Sequence, residues 1–199
     1  MLKGVSLFSN IGIGELSLPT RFKVIAANDI DQKRCLLYER LHPTTKVIQG
    51  DISKQSIFNA IKEFDCDFLI STPPCQGMSN LGKMDKRDPR NHLIKYSIDF
   101  IKAKKPKFIF HENVPNQNKT PILHQGKEIT ISEFISKQLG KDYFIENKNI
   151  KMDNYGIPQM RKRSIFLLTR KDLSKQWNFP ESKRIAPTLK ALIGNLPSL

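Results

Sequence analysis

Short apolar runs, each stopped by glycine, proline or an acidic residue, alternate along this chain with stretches that carry apolar residues at helical spacing. Strands are predicted over 5–8, 22–27, 46–48, 68–71 and 107–111, then over 143–151 and 164–169. Helices are predicted from the turn Asn10-Ile11-Gly12-Ile13-Gly14 through Leu18, then over 31–41, 57–64 and about 132–139. Leu93, Ile94, Ser97, Ile98 and Ile101 mark one more helix, which Pro106 ends. This alternation predicts an α/β fold with a mainly parallel twisted sheet and helices on both faces. Sheets of that kind bind ligands beyond the carboxyl ends of their strands. The residues just past each apolar run are therefore where chemistry is expected. Between these elements, 76–90 reads as a long loop and 115–127 as polar and turn-rich, while the tail after Trp177 reads as extended.

A chain of 199 residues can bury a sizeable core. It has no run of about 18 apolar residues, so no membrane span is expected, and its start is too soon interrupted for a signal peptide. Cys35, Cys66 and Cys75 form no Cys-x-x-Cys pair, which argues against zinc and against a disulfide framework. A reducing, cytoplasmic compartment is the expectation. The net charge of +14 is uneven. Residues 1–81 carry nine Lys/Arg against eight Asp/Glu, whereas 82–199 carry twenty-four against eleven. A neutral first part joined to a basic second part fits a small-ligand pocket beside a polyanion track, although lysines dressing a soluble surface would give the same count.

Four motifs fall at predicted strand ends. The first is the turn Phe8-Ser9-Asn10-Ile11-Gly12-Ile13-Gly14, where backbone can approach a ligand closely. The second is a pair of acids after the next two strands. Asp29 is placed to accept from ribose hydroxyls, and Asp51, beside Ile52, to meet an adenine amino group. Each acid alone would more often be a cap or turn residue. The third, Pro73-Pro74-Cys75-Gln76, holds a thiol on a stiff diproline at the mouth of a buried strand. Cys66, placed inside a strand, and Cys35, on a helix, read as inert core thiols. The fourth, Glu112-Asn113-Val114, puts a carboxyl just past the equivalent strand, where an ordinary helix-capping carboxylate is the plain alternative. Gln159-Met160-Arg161-Lys162-Arg163 then precedes the last strand, with both guanidinium groups on one face of an extended segment.

Taken together, with Gly50-Asp51-Ile52, Asp88-x-Arg90-x-x-Leu93 and Tyr155-Gly156-Ile157-Pro158 added, these residues resemble the cytosine-5 DNA methyltransferases over nearly the whole chain. Residues 188–197 also resemble the segment before that family's target-recognition region. The resemblance implies a Rossmann-like fold, S-adenosylmethionine as cofactor without a metal, and duplex DNA whose target cytosine is flipped out of the helix. Cys75 would add to ring carbon 6 and Glu112 would bond the N3 side of the ring. Arg163 would hold the carbonyl, with Asn113, Gln159 and Arg161 in support. Phe8, Ile11, Gly12, Asp29, Ile30, Asp51, Ile52, Pro74 and Leu93 would form the cofactor pocket, and the loop 76–90 would close over the DNA.

Asn10 and Ile13 stand where the family has glycines; Asn tolerates left-handed backbone angles. The family continues with a recognition region and two further motifs, one of them a helix completing the cofactor side of the sheet. The expectation is a catalytic and cofactor-binding domain over 1–175, with 176–199 an extended tail leading toward a recognition region. Such a piece would be one subunit of a split bacterial restriction–modification enzyme, an engineered fragment or a truncated gene product. A tRNA cytosine-5 methyltransferase, a non-catalytic remnant that binds nucleic acid or a partner, and a nicotinamide-dependent oxidoreductase are the competing readings.

Overall fold

Each predicted apolar run forms a strand, because residues alternating along it can be buried on both sides of a sheet. A computed structural model describes residues 1–75, 78, 88–182 and 185–196. The strands are β1 (Leu2–Leu7), β2 (Phe22–Asp29), β3 (Lys46–Gln49), β4 (Phe68–Ser71), β5 (Phe108–Asn113), β6 (Pro121–His124), β7 (Lys127–Thr130), β8 (Tyr143–Lys151) and β9 (Lys162–Arg170). The helices are α1 (Gln32–Leu41), α2 (Gln55–Lys62), α3 (Ile94–Lys104), α4 (Ile131–Leu139) and α5 (Leu189–Ile193). Local chemistry sets their ends. The Asp31 side chain accepts from Arg34 N at α1, and Thr130 with Glu133 forms a reciprocal capping box at α4. Lys105 turns left-handed after α3, just before Pro106.

Seven strands form one sheet in the order β3-β2-β1-β4-β5-β9-β8. The first five run parallel, β9 is antiparallel to β5, and β8 is antiparallel to β9, so β9 alone opposes the direction of the rest. The α/β expectation with a mainly parallel sheet holds. The chain moves outward from β1 to β2 and β3, then returns across β1 to β4 and β5. The crevice between the carboxyl ends of β1 and β4 is therefore the topological switch point. Right-handed crossovers put α1 on the face opposite α2 and α3. Helices α2, α3 and α4 pack side by side over one face, where Val5, Leu7, Leu69 and Ile109 are fully buried.

Several expectations change. No helix runs through Leu18: the turn after β1 carries only a 3-10 turn at Ile13–Glu15, because Pro19 and the bend into β2 follow at once. Phe8 lies beyond β1 with a left-handed φ of 59°. Leu93 closes a 3-10 turn, Pro89–Leu93, ahead of α3. The polar stretch after Val114 holds a 3-10 turn, Pro115–Lys119, and the β6–β7 hairpin, whose reversal is made by Gln125 and Gly126 at positive φ. Cys66 precedes β4 rather than lying in it. Strand β5 runs on through Glu112 and Asn113, since β9 pairs with it as far as Ser164. The tail is not wholly extended, for it contains the short α5. Gln76 and most of the loop 76–90 lie outside the described residues, as does Pro197.

Candidate active site

The turn after β1 opens the site. Phe8, Asn10 and Gly12 all have positive φ, so Asn10 does take the left-handed conformation expected of it, whereas Gly14 does not need one. Gly12 is required by space as well: a Cβ there would lie 2.5 Å from both His42 Nε2 and Tyr38 Cε2. Beneath the turn, Tyr38 OH donates to the buried Glu15 carboxylate and the His42 ring meets Gly12 O at 3.0 Å.

Asp29, only 5% exposed, ends β2 as expected and fastens the turn to it. Its Oδ2 accepts from Asn10 N at 2.9 Å and its Oδ1 from Asp31 N at 3.0 Å. Asp51 sits two residues past β3, where its Oδ1 accepts from Ser53 N at 2.9 Å. Asn28 places that segment: its Nδ2 donates to Ile48 O at 2.8 Å and to Gly50 O at 3.0 Å. Sequence reasoning passed over Asn28, although its place beside Asp29 at a strand end was the available signal.

The nucleophile arm leaves β4. Thr72 Oγ1 donates to Phe8 O at 3.0 Å, joining the arm to the turn after β1. Asn113 Nδ2 donates to Pro73 O at 3.1 Å, joining it to β5. Cys75 is half-buried, and its carbonyl accepts from Met78 N at 2.9 Å. Burial pushes the Cys66 thiol up to about 12, and burial followed by the nearby Asp29 charge raises that of Cys35. Cys35 is buried, and Cys66 packs half-buried against the core.

Glu112 points to the cavity from β5 and forms an ion pair with Arg163, Oε1 to Nε, at 2.6 Å. Both side chains are mostly shielded, which makes this bond stronger than a surface pair. The cavity, about 1250 Å³, is lined by Cys75, Glu112, Asn113, Arg161 and Arg163. Phe8, Ile11, Gly12, Asp29, Ile30, Asp51, Ile52, Pro74 and Leu93 line it too. The expected site residues thus converge, with one exception. Gln159 is exposed and does not line the cavity. Arg161 is also exposed, one residue before β9 begins.

Two features of this cavity were not foreseen. Ser6 Oγ and Ser9 Oγ line it, are buried, and have no hydrogen-bond partner. Unmet buried hydroxyls beside two carboxylates, with apolar walls from Phe8, Ile52 and Leu93, suit a ligand that is part polar and part aromatic. An adenosine-bearing methyl donor fits that description. The cavity also extends along the sheet as an apolar trough, past Ile70 and Phe110 to Phe68, Phe108 and Trp177. Among the described residues no group of three or more His, Cys, Asp or Glu side chains could hold a metal. No helix among them is long and apolar enough to cross a membrane.

Known proteins resemble this chain in sequence and in fold. The chain is 39% identical over its whole length to the Type II methyltransferase M1.HgaI of Avibacterium volantium. It is 33% identical over 98% of its length to the Type II methyltransferase M.NgoPII of Neisseria gonorrhoeae. In both comparisons it spans 57% of the relative. Among solved structures it is similar to a putative DNA modification methyltransferase encoded within a prophage of E. coli, with a TM-score of 0.75 and 27% identity. That match covers all of this chain and 56% of the other. A DNMT2 from Spodoptera frugiperda, at TM-score 0.67 and 23% identity over 94% of this chain and 54% of its own, shares the fold. The family model for C-5 cytosine-specific DNA methylases matches residues 2–199, and this chain belongs to that family.

Proposed function

We propose that this chain is the catalytic part of a DNA (cytosine-5-)-methyltransferase of a bacterial restriction–modification system, acting in the cytoplasm on a flipped cytosine in duplex DNA. One observation carries the reading: a half-buried thiol on a diproline arm shares a cavity with a carboxylate already engaged by an arginine. That arrangement serves addition to an electron-poor ring far better than it serves hydride transfer, which needs no thiol.

When bound, S-adenosylmethionine supplies an electrophilic methyl group. Phe8, Gly12, Asp29, Asp51 and Ile52 would hold it, together with the hydroxyls of Ser6 and Ser9. The Cys75 thiolate forms a bond to ring carbon 6, and the displaced electron pair makes carbon 5 nucleophilic. Glu112, once it carries a proton, donates to ring N3, where negative charge develops, and Arg163 orients that carboxyl group while meeting the cytosine carbonyl. After carbon 5 is methylated, water in the site takes its proton, the C5–C6 double bond re-forms from that electron pair, and Cys75 leaves as the thiolate. Residues 1–175 would do this chemistry, and 176–199 would lead toward a recognition region.

The apolar trough supports one more element of the reading. Its half-buried Phe108 and Phe110 suit cover by an apolar helix, from a further segment or a second subunit. The direct test is covalent capture on DNA containing 5-fluorocytosine, with the recognition region of a relative supplied. An adduct at Cys75 that is lost in Cys75→Ser, with S-adenosylmethionine affinity nearly unchanged, is the expected result. An adduct on tRNA alone would redirect the substrate assignment, and a Cys75→Ser variant that still methylates would remove the nucleophile.

A further inference from the structure

Behind the cavity, on the helix-covered face of the sheet, lies a polar chain that the proposed chemistry does not use. His111 stands on β5 between Phe110 and Glu112 and is 3% exposed. Its Nδ1 meets Ser71 Oγ at 3.2 Å, and Ser71 Oγ meets Ser97 Oγ at 2.8 Å. Its Nε2 meets Gln117 Oε1 at 2.9 Å. Ser71, Ser97 and Gln117 are as deeply buried as the ring. A leucine would fill this place beside Ile109 and Phe166 without needing any of them. A neutral imidazole in an apolar layer needs one donor and one acceptor, and three further side chains are committed to that need.

The position of these partners gives the chain its meaning. Ser71 is the last residue of β4, four residues before Cys75. Gln117 lies in the 3-10 turn just after β5, and its neighbour Asn116 donates from Nδ2 to Met78 O at 3.0 Å, three residues after Cys75. Cys75 is therefore held between two points that both lead back to His111, while Glu112 is the next residue along the strand from that ring. We infer that His111 is a positioning residue, a buried brace that fixes the nucleophile arm relative to the strand carrying Glu112. The inference rests on Cys75 and Glu112 acting on one substrate, but its test does not require turnover.

In the full chain, the rate at which iodoacetamide modifies Cys75, followed on its own peptide by mass spectrometry, reads the setting of the arm. His111→Leu removes both bonds and is expected to raise that rate by at least about fivefold. His111→Asn, whose amide can still meet Ser71, is expected to restore most of the native rate. Phe134→Leu, a truncation in the core at α4, serves as the control for lost stability alone. The brace is overturned if His111→Leu stays within about twofold of the native rate, or if Phe134→Leu changes it as much. Should His111→Leu fail to fold, Gln117→Leu breaks the chain at its other end, with the same expectation and the same overturning result. A native chain that forms no 5-fluorocytosine adduct yet shows this His111 dependence would lose the methyltransferase reading and keep the brace.

Discussion

The two faces of the sheet differ in how far they are closed. Strand β5 contributes to both, because successive side chains point to opposite sides. Ile109 and His111 turn toward α2–α4 and are buried, whereas Phe108, Phe110 and Glu112 turn toward the cavity and are only partly covered. The closed face holds the apolar mass that stabilises the chain. The open face holds the thiol, the carboxylate and the unmet hydroxyls. The chemistry of the open face is aimed by the packing of the closed one, and adjacent residues of a single strand divide the two tasks.

The largest expected contrast comes from truncating neighbours on β5. Ile109→Ala leaves a cavity among helices and is expected to cost about 3 kcal/mol in urea unfolding. Phe110→Ala removes a larger side chain but one already bordering open space, and is expected to cost less than about 1.5 kcal/mol. Equal losses at the two positions would erase the distinction between the faces.

A second contrast uses pH. Burial pushes the His111 ring down from its ordinary value to about 4. The unfolded chain then binds a proton that the folded one refuses, so this group lowers stability as pH falls through the window from about 6.5 to about 4. The full loss is on the order of 3 kcal/mol. Carboxylates such as Asp67, held low chiefly by its bond from Lys107, also weaken the fold in acid, but below that window. Comparing the native protein with His111→Asn isolates the ring, because the asparagine amide does not titrate. The native protein should lose more stability than the variant between pH 7 and 4.5. Parallel curves would mean that the ring is not protected from protons.

The closed face was legible in the sequence and the site on the open one largely so, for different reasons. Apolar periodicity marked every strand of the main sheet, and the residues ending those strands marked the cavity. What could not be read depends on distant partners. Glu112 lies inside β5 because β9 pairs alongside it as far as Ser164, a register no local pattern contains. The β6–β7 hairpin turns at Gln125-Gly126, a weaker signal than Asn-Gly, and its strands are four residues each. Ser6, Ser9 and His111 gain their interest only from burial, and a single polar letter in a sequence carries no depth.

The smallest expected effect sharpens the comparison at the rim of the open face. Asp51 is only partly buried and one of its oxygens is already engaged by Ser53 N, so the fold itself depends little on it. Its remaining acceptor capacity lines the cavity beside Ile52. Asp51→Ala is expected to weaken S-adenosylmethionine binding by roughly 1–2 kcal/mol, with little change in urea unfolding. Calorimetric titration of the variant reads the first quantity directly. Loss of stability without loss of affinity would make Asp51 a turn residue, and would move recognition of the ligand's polar edge to Asp29 and the two unmet hydroxyls.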